Sequence, residues 1–130
     1  MYGELVMTRR QHPEAALQRT VKRYLDVALP SDCWWTTIPA GGGGKVRGAI
    51  IKGMGYKPGT PDIEIIWQGQ AHFIELKAGK QPLSKVQDAC HADLVAAGAH
   101  VAVCRSVAAV EGTLRGWGLP LRATTGARAA

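Results

Sequence analysis

The sequence predicts an α/β fold in which helices flank a mixed β-sheet. Segments with helical periodicity alternate along the chain with short segments rich in β-branched residues. Two of the strand-like segments are separated only by a short polar connection, whereas the last one follows a helix. The predicted order is helix, strand, short helix, two hairpin strands, helix, strand and helix, which is the pattern of an α/β domain.

Length and composition indicate one folded domain. The 130 residues are 46% hydrophobic and 20% charged, as in globular proteins. We expect one domain over residues 1–118 and a flexible basic tail over residues 119–130. No apolar run approaches the roughly 20 residues that span a bilayer, and residues 1–12 contain no apolar signal core. We therefore expect a cytoplasmic protein without a membrane partner.

The first third of the chain contains two predicted helices and a strand. Apolar residues recur at helical spacing from Pro13 to Leu29, and Pro30 stops the run. Cys33 to Ile38 is rich in tryptophan and threonine, which predicts a strand. Val46 to Met54 is predicted as a short helix, although its two glycines leave a strand as the alternative.

The four glycines before Lys45 do not form a phosphate-binding Walker loop. That motif needs a glycine six residues before the lysine and a serine or threonine after it, and Pro39 and Val46 occupy those positions. We therefore expect no nucleotide cofactor.

The rest of the chain begins with a predicted hairpin. Asp62 to Trp67 and Ala71 to Lys77 are two apolar, strand-like segments that should pair in antiparallel fashion. His100 to Cys104 is predicted as a buried strand, and Val107 to Trp117 as the final helix.

A further helix is predicted from Ser84, whose hydroxyl forms a capping box with Gln87, and Gly98 ends it. Its predicted buried stripe consists of Val86, Ala89, Cys90, Leu94 and Ala97.

Two carboxylates and a lysine have the spacing that phosphodiester hydrolysis needs. Side chains two apart on a strand share a face, so Glu75 and Lys77 project together, with Leu76 behind them. Asp62 begins the neighbouring strand, where pairing can bring its carboxylate near Glu75. Carboxylates that close repel each other unless a divalent cation neutralises them, and Mg²⁺ or Mn²⁺ suits such oxygen ligands. An ordinary surface ion pair between Glu75 and Lys77 is the alternative, and Glu64 is a rival ligand.

The order of these motifs resembles that of a nuclease superfamily. It runs from Gly59-Thr60-Pro61-Asp62 through an apolar strand to Phe73-Ile74-Glu75-Leu76-Lys77, and then to Leu83-Ser84 with Gln87 on the next helix. This resembles the PD-(D/E)XK nuclease superfamily and, more narrowly, the VRR-NUC (virus-type replication-repair nuclease) family, from about Glu14 to Trp117. The resemblance implies a restriction-endonuclease-like PD-(D/E)XK core.

The resemblance also implies roles for the central motif residues. Asp62 and Glu75 would bind the metal ion together with the backbone carbonyl of Leu76. Lys77 would be the catalytic lysine. It would orient or deprotonate the attacking water, or stabilise the charge that develops on the phosphate.

Two further positions have both a functional and a structural explanation. Gln87 would be an accessory catalytic residue by resemblance, but a capping box alone would account for it. Glu14 matches an acidic position near the metal in such nucleases, but an acid in the first turn of a helix is already favoured by the helix dipole.

The expected activity is that of a Mg²⁺-dependent endodeoxyribonuclease. Resemblance implies a homodimer that cuts branched DNA such as four-way (Holliday) junctions, and a compact nuclease of this kind would suit a bacterial or phage-infected cell. Independently, the formal charge of +6 favours a polyanionic partner. The basic residues expected to contact phosphates are Arg19, Lys22, Arg23, Arg47, Lys52, Lys57, Lys80 and Lys85. The alternatives are a non-catalytic DNA-binding module, disfavoured because every motif position is filled, and a restriction-type duplex nuclease, which would need an additional recognition segment.

Cysteine and histidine residues do not have the spacing of a structural zinc site. We expect them to be buried thiols and surface imidazoles; they are Cys33, Cys90, Cys104, His72, His91 and His100.

Overall fold

The computed structural model describes residues 13–39 and 44–125, and within the helix that begins at Gly44 it describes side chains from Gly48 onward. The elements, in chain order, are α1 (Pro13–Ala28), β1 (Trp34–Thr37), α2 (Gly44–Gly53), β2 (Ile63–Trp67), β3 (Gln70–Leu76), α3 (Lys85–Ala96), β4 (His100–Cys104) and α4 (Val107–Gly116). Each predicted helix and strand is present, and the segment with two alternatives is a helix. None of the described helices has the length and hydrophobicity that crossing a bilayer requires.

The strands form one sheet in the order β1-β2-β3-β4. β1 pairs with β2, and β2 pairs with β3, in antiparallel fashion. β4 runs parallel to β3, because hydrogen bonds join both their beginnings (Gln70 to Gly98) and their ends (Lys77 to Cys104). The sheet is therefore mixed, and the predicted α/β fold class with a mixed sheet is confirmed.

A two-residue turn joins β2 to β3. Its residues, Gln68 and Gly69, have φ angles of 51° and 74°. Positive φ at both central positions is typical of a type I′ turn, whose twist matches that of the paired strands. The turn sets the register in which Ile63 pairs with Ile74 and Trp67 pairs with Gln70. The predicted hairpin is thus confirmed.

The described chain divides into two compact units, each assembled from more than one segment. The first unit comprises residues 13–30, 76–81 and 104–125. The second comprises residues 31–39, 44–75 and 82–103.

The core of the first unit lies between α1 and α4. α1 buries Val21, Leu25 and Ala28, which recur at intervals of four and three residues on one helix face. α4 buries Val110 and Leu114 and packs against α1.

The segment from 119 to 125 is attached to this unit rather than extending as the predicted flexible tail. Leu119 is buried, and the backbone N–H of Arg122 donates to Ala28 over 2.8 Å. The Tyr24 hydroxyl donates to the Ala123 carbonyl. The tail prediction overlooked these contacts because the composition of the segment is polar and its partners are distant in sequence. Residues 126–130 lie outside the described part of the chain.

The core of the second unit covers one face of the hairpin. Ile63, Ile65 and Ile74 are fully buried there. The register places Asp62, Glu64 and the neighbouring Glu75 on the opposite face, because successive side chains of a strand alternate.

α3 turns a different face inward than predicted. Val86 is exposed, Cys90 and Leu94 are half-buried, and the whole predicted stripe lines an open groove. The buried residue of α3 is His91. The reason is chemical, since Glu75 lies on the sheet face that α3 contacts and requires polar partners.

The attachment of residues 119–125 should depend on pH through Glu111. Its carboxylate accepts hydrogen bonds from the backbone N–H and hydroxyl of Thr125 and from Arg115, which lower the pKa of Glu111 from 4.5 to about 2. A depressed pKa means that this contribution to stability is complete above pH 4.5 and is lost as the pH falls through about 2. In an NMR titration, Thr125→Val should raise the pKa of Glu111 toward 4.5, whereas Thr125→Ser should not. Identical titration of the two variants would contradict this account.

Candidate active site

The register of the hairpin places Asp62 opposite Glu75. Ile63 pairs with Ile74, so continuing the antiparallel register by one residue aligns the two acids. Side chains directly opposite each other share a face, with Cβ atoms about 4.5–5.5 Å apart. The backbone of Asp62 is held in place, because its carbonyl accepts a hydrogen bond of 2.7 Å from Ile38. The register therefore places Asp62, the residue before β2, and Glu75 of β3 at the same end of the hairpin.

Glu75 is a buried carboxylate with polar partners. Only 3% of its surface is exposed. Its Oε2 accepts a hydrogen bond from Gln87 Nε2 at 3.4 Å, and its Oε1 lies 3.1 Å from His91 Nε2. A buried carboxylate is unfavourable unless such donors or a cation compensate for the lost water. α3 supplies two of these compensating groups.

Gln87 combines the two roles that the sequence left open. The side-chain Oε1 of Gln87 accepts a hydrogen bond from the backbone N–H of Ser84 at 3.0 Å. The backbone N–H of Gln87 donates to Ser84 Oγ at 3.1 Å. This is the predicted capping box, which is confirmed. The amide nitrogen of the same side chain points to Glu75. One amide group thus fixes the start of α3 and contacts the candidate site.

His91 is the residue at this site that the sequence analysis missed. It lies one helical turn after Gln87, and this spacing was the available signal, because residues four apart share a helix face. The expectation of surface imidazoles is wrong for His91 and also for His72, which are both buried. His72 stacks on the exposed His100 with ring centroids 5.0 Å apart, and burial lowers the pKa of His72. Of the thiols, Cys104 is buried, and Cys33 and Cys90 are half-buried.

The remaining predicted site residues belong to the first unit. Lys77 is 9% exposed, and its backbone N–H donates to the Cys104 carbonyl at 3.1 Å. Glu14 accepts a hydrogen bond of 3.3 Å from the N–H of Ala78, so its carboxylate contacts the residue after the lysine. Leu76 is the last residue of β3 and is buried.

The loop that delivers Asp62 packs against the start of α3. Gly59 has a φ of 87°, and a Cβ atom there would lie 2.8 Å from the carbonyl carbon of Val86 and closer still to its oxygen. No other residue type fits without movement of the backbone. The Thr60 hydroxyl caps the loop by donating to the Lys57 carbonyl at 2.6 Å.

Tyr56 also lies close to this loop. Burial raises the pKa of the Tyr56 hydroxyl, opposed by hydrogen bonding to Thr60, while the charges of Cys90 and Glu75 raise it further. The electrostatic influence of Glu75 reaches the tyrosine, which the sequence analysis did not single out.

The predicted phosphate-contacting residues are exposed wherever their side chains are described. In the first unit these are Arg19, Lys22, Arg23 and Lys80, and in the second they are Lys52, Lys57 and Lys85. Lys22 forms a surface ion pair of 2.7 Å with Asp26. Lys52 and Lys57 line the same groove of the second unit. The side chain of Arg47 lies outside the described residues.

The donors at the two aligned carboxylates fit a hard divalent cation. Within the described ranges, no group of three or more histidine, cysteine, aspartate or glutamate side chains forms a complete metal cage. Mg²⁺ is commonly bound by one or two carboxylates, with waters and substrate phosphates filling the remaining positions. Asp62 and Glu75 match that donor set, whereas a structural zinc site would need four protein ligands.

Comparison with known proteins identifies the family of this chain. The sequence matches the family model described as the VRR-NUC domain over residues 6–108. The chain belongs to the VRR-NUC family. A solved structure described as a VRR-NUC domain protein superposes with a TM-score of 0.62 at 21% sequence identity, covering 82% of this chain and 88% of that chain. A search of curated protein sequences found no match.

Membership in the VRR-NUC family implies a nuclease-type function with DNA as the substrate. The superposition shows that the mixed α/β fold is shared with that VRR-NUC domain protein.

Replacing Gly59 should destabilise the protein more than replacing a glycine of similar backbone conformation in open space. Gly69 also has a positive φ of 74°, but a Cβ atom added there would have nothing within 4 Å. Gly69→Ala should cost about 1–2 kcal/mol for the left-handed conformation. Gly59→Ala should add roughly 1–3 kcal/mol because the loop or α3 must move. Chemical denaturation of both variants measures the difference, and equal losses would show that the close approach to Val86 is unimportant.

Proposed function

We propose that this VRR-NUC chain is a metal-dependent DNA endonuclease that hydrolyses phosphodiester bonds. The observation that carries the proposal is that the hairpin register places Asp62 across from the buried Glu75. Glu75 is followed by Leu76 and Lys77, within the residues that match the VRR-NUC family model. Two carboxylates at one end of a hairpin disfavour each other's ionised form, and a bound cation would relieve that repulsion.

Mg²⁺, or Mn²⁺ in its place, is the cofactor that this donor set favours. Asp62 and Glu75 would hold it, with the Leu76 carbonyl as a third ligand and Glu14 as a further candidate. Bound there, the ion would supply the positive charge that polarises the scissile phosphate.

The chain's own side chains would supply the other requirements of hydrolysis. Lys77, two residues after Glu75 along the chain, would hold the attacking water or stabilise charge on the phosphate through its ammonium group. Gln87 would keep the Glu75 carboxylate oriented through its amide N–H, in addition to capping α3. The burial of Glu75 would exclude bulk water and so strengthen these interactions.

Branched DNA such as a four-way junction is the proposed substrate, and a homodimer is the proposed assembly. Contacts from lysine and arginine to phosphates carry no sequence information, so binding that relies on them would select DNA by shape. One small site cleaves one strand, and symmetric incision of a junction therefore needs two protomers related by a twofold axis. A non-catalytic DNA-binding module and a restriction-type duplex nuclease remain the competing hypotheses.

Cleavage assays on labelled four-way junction, flap and linear duplex test the catalytic proposal. Junction cleavage should require Mg²⁺ or Mn²⁺ and stop in EDTA. Lys77→Ala should lower the cleavage rate by about 10²–10³-fold through loss of a positioned charge, and Glu75→Gln should abolish cleavage. Asp32→Asn makes a carboxylate-to-amide change at an exposed position in the turn before β1 and should cleave normally.

Three outcomes would overturn parts of this proposal. Cleavage that survives EDTA or Lys77→Ala would reject the mechanism. Binding without cleavage under either metal would favour the non-catalytic module. Preference for linear duplex would favour the restriction-type nuclease.

The salt dependence of binding tests the phosphate contacts. Each neutralised phosphate contributes about −0.9 to the slope of log K against log salt concentration on duplex DNA. Lys52→Ala combined with Lys57→Ala should therefore make the slope shallower by about 1.8, because both residues line one groove. The measurement uses Glu75→Gln protein, which should bind without cutting, and Arg115→Ala as the control for loss of a surface charge. An unchanged slope would remove this groove from the DNA-binding surface.

A further inference from the structure

His91 is a buried histidine on α3 that contacts the carboxylate of Glu75. It is the buried residue of α3, with 8% of its surface exposed. Its Nε2 lies 3.1 Å from Glu75 Oε1, and with Glu75 ionised, as a metal ligand must be, the imidazole is the donor because a carboxylate only accepts hydrogen bonds. The side chain is therefore directed at one oxygen of the proposed metal ligand.

The two polar side chains of α3 each contact a different oxygen of the Glu75 carboxylate. Gln87 contacts Oε2 of Glu75, and His91 contacts Oε1. Because the donors are one turn apart on the same rigid helix, they restrict rotation of the carboxylate about its terminal torsion.

His91 makes the closer of the two contacts. Its distance to Glu75 is 3.1 Å, against 3.4 Å for Gln87. Gln87 is half-buried and its amide oxygen is also engaged in the capping box, whereas His91 is buried against the carboxylate. Of the two α3 side chains, His91 is therefore the one that holds Glu75 more directly.

We propose that His91 is a positioning residue, which holds the Glu75 carboxylate in the orientation that metal binding requires. It acts through Glu75 and touches neither metal nor substrate. The inference rests on the proposed function, in which Glu75 is a metal ligand. Hydrogen-bond partners of ligating carboxylates commonly contribute 10–100-fold to metal affinity.

Mn²⁺ titration of the metal-free protein by calorimetry tests this role without relying on activity. His91→Leu introduces an apolar side chain of similar bulk that has no hydrogen-bond donor. It should raise the Mn²⁺ dissociation constant about 10–100-fold. His91→Gln places an amide N–H near the Nε2 position and should retain most of the affinity. His91→Asn is also an amide but is too short to reach Glu75, and should bind as weakly as His91→Leu. The Gln and Asn pair gives the same comparison if the leucine variant does not fold.

Two further variants separate positioning from general stability. Leu94→Ala removes a half-buried side chain of the same helix and should lower the melting temperature without changing Mn²⁺ affinity. Glu75→Gln should abolish Mn²⁺ binding.

The outcomes distinguish the inference from the proposed function. If the wild-type protein binds Mn²⁺ and Glu75→Gln does not, but His91→Leu, His91→Asn and His91→Gln all match the wild type, the positioning role is rejected and the metal site stands. If the wild-type protein does not bind Mn²⁺, the proposed metal-dependent function fails and the positioning role fails with it.

Discussion

A carboxylate that is almost completely removed from water imposes the main constraint on the second unit. Glu75 lies in β3, between β2 and β4, and a carboxylate buried there needs hydrogen-bond partners from the protein in place of water. α3 meets that requirement with Gln87 and His91. The need for polar partners therefore outweighs the burial of the apolar stripe of α3, whose residues line an open groove instead.

The same constraint connects local backbone features to the site. The capping box uses the oxygen of the Gln87 amide, while the nitrogen of that amide serves Glu75. Gly59 allows the loop before Asp62 to approach the first turn of α3 without a side chain between them. Helix start, loop and carboxylates are consequently coupled, so that a change in one alters the geometry of the others.

Features encoded over short sequence distances were predictable. Periodicity identified each helix and strand, Ser84 and Gln87 identified the capping box, and a short connection identified the hairpin. The expected placement of Asp62 across from Glu75 followed from strand alternation and pairing, which are simple rules. His91 was missed because its partner lies sixteen residues away on another element, and helix periodicity alone favours the apolar face. The attachment of Thr125 to Glu111 is equally invisible to composition.

The turn at Gln68 and Gly69 lies at the far end of the hairpin from the two carboxylates, yet it determines their alignment. Each residue of β2 has one partner in β3, and the two-residue turn with positive φ angles selects which one. A register shift of one residue would direct the side chain of Asp62 to the opposite sheet face from Glu75. The length and handedness of a solvent-exposed turn are thus subject to the same constraint as the acidic residues themselves, although the turn contains no group that takes part in chemistry.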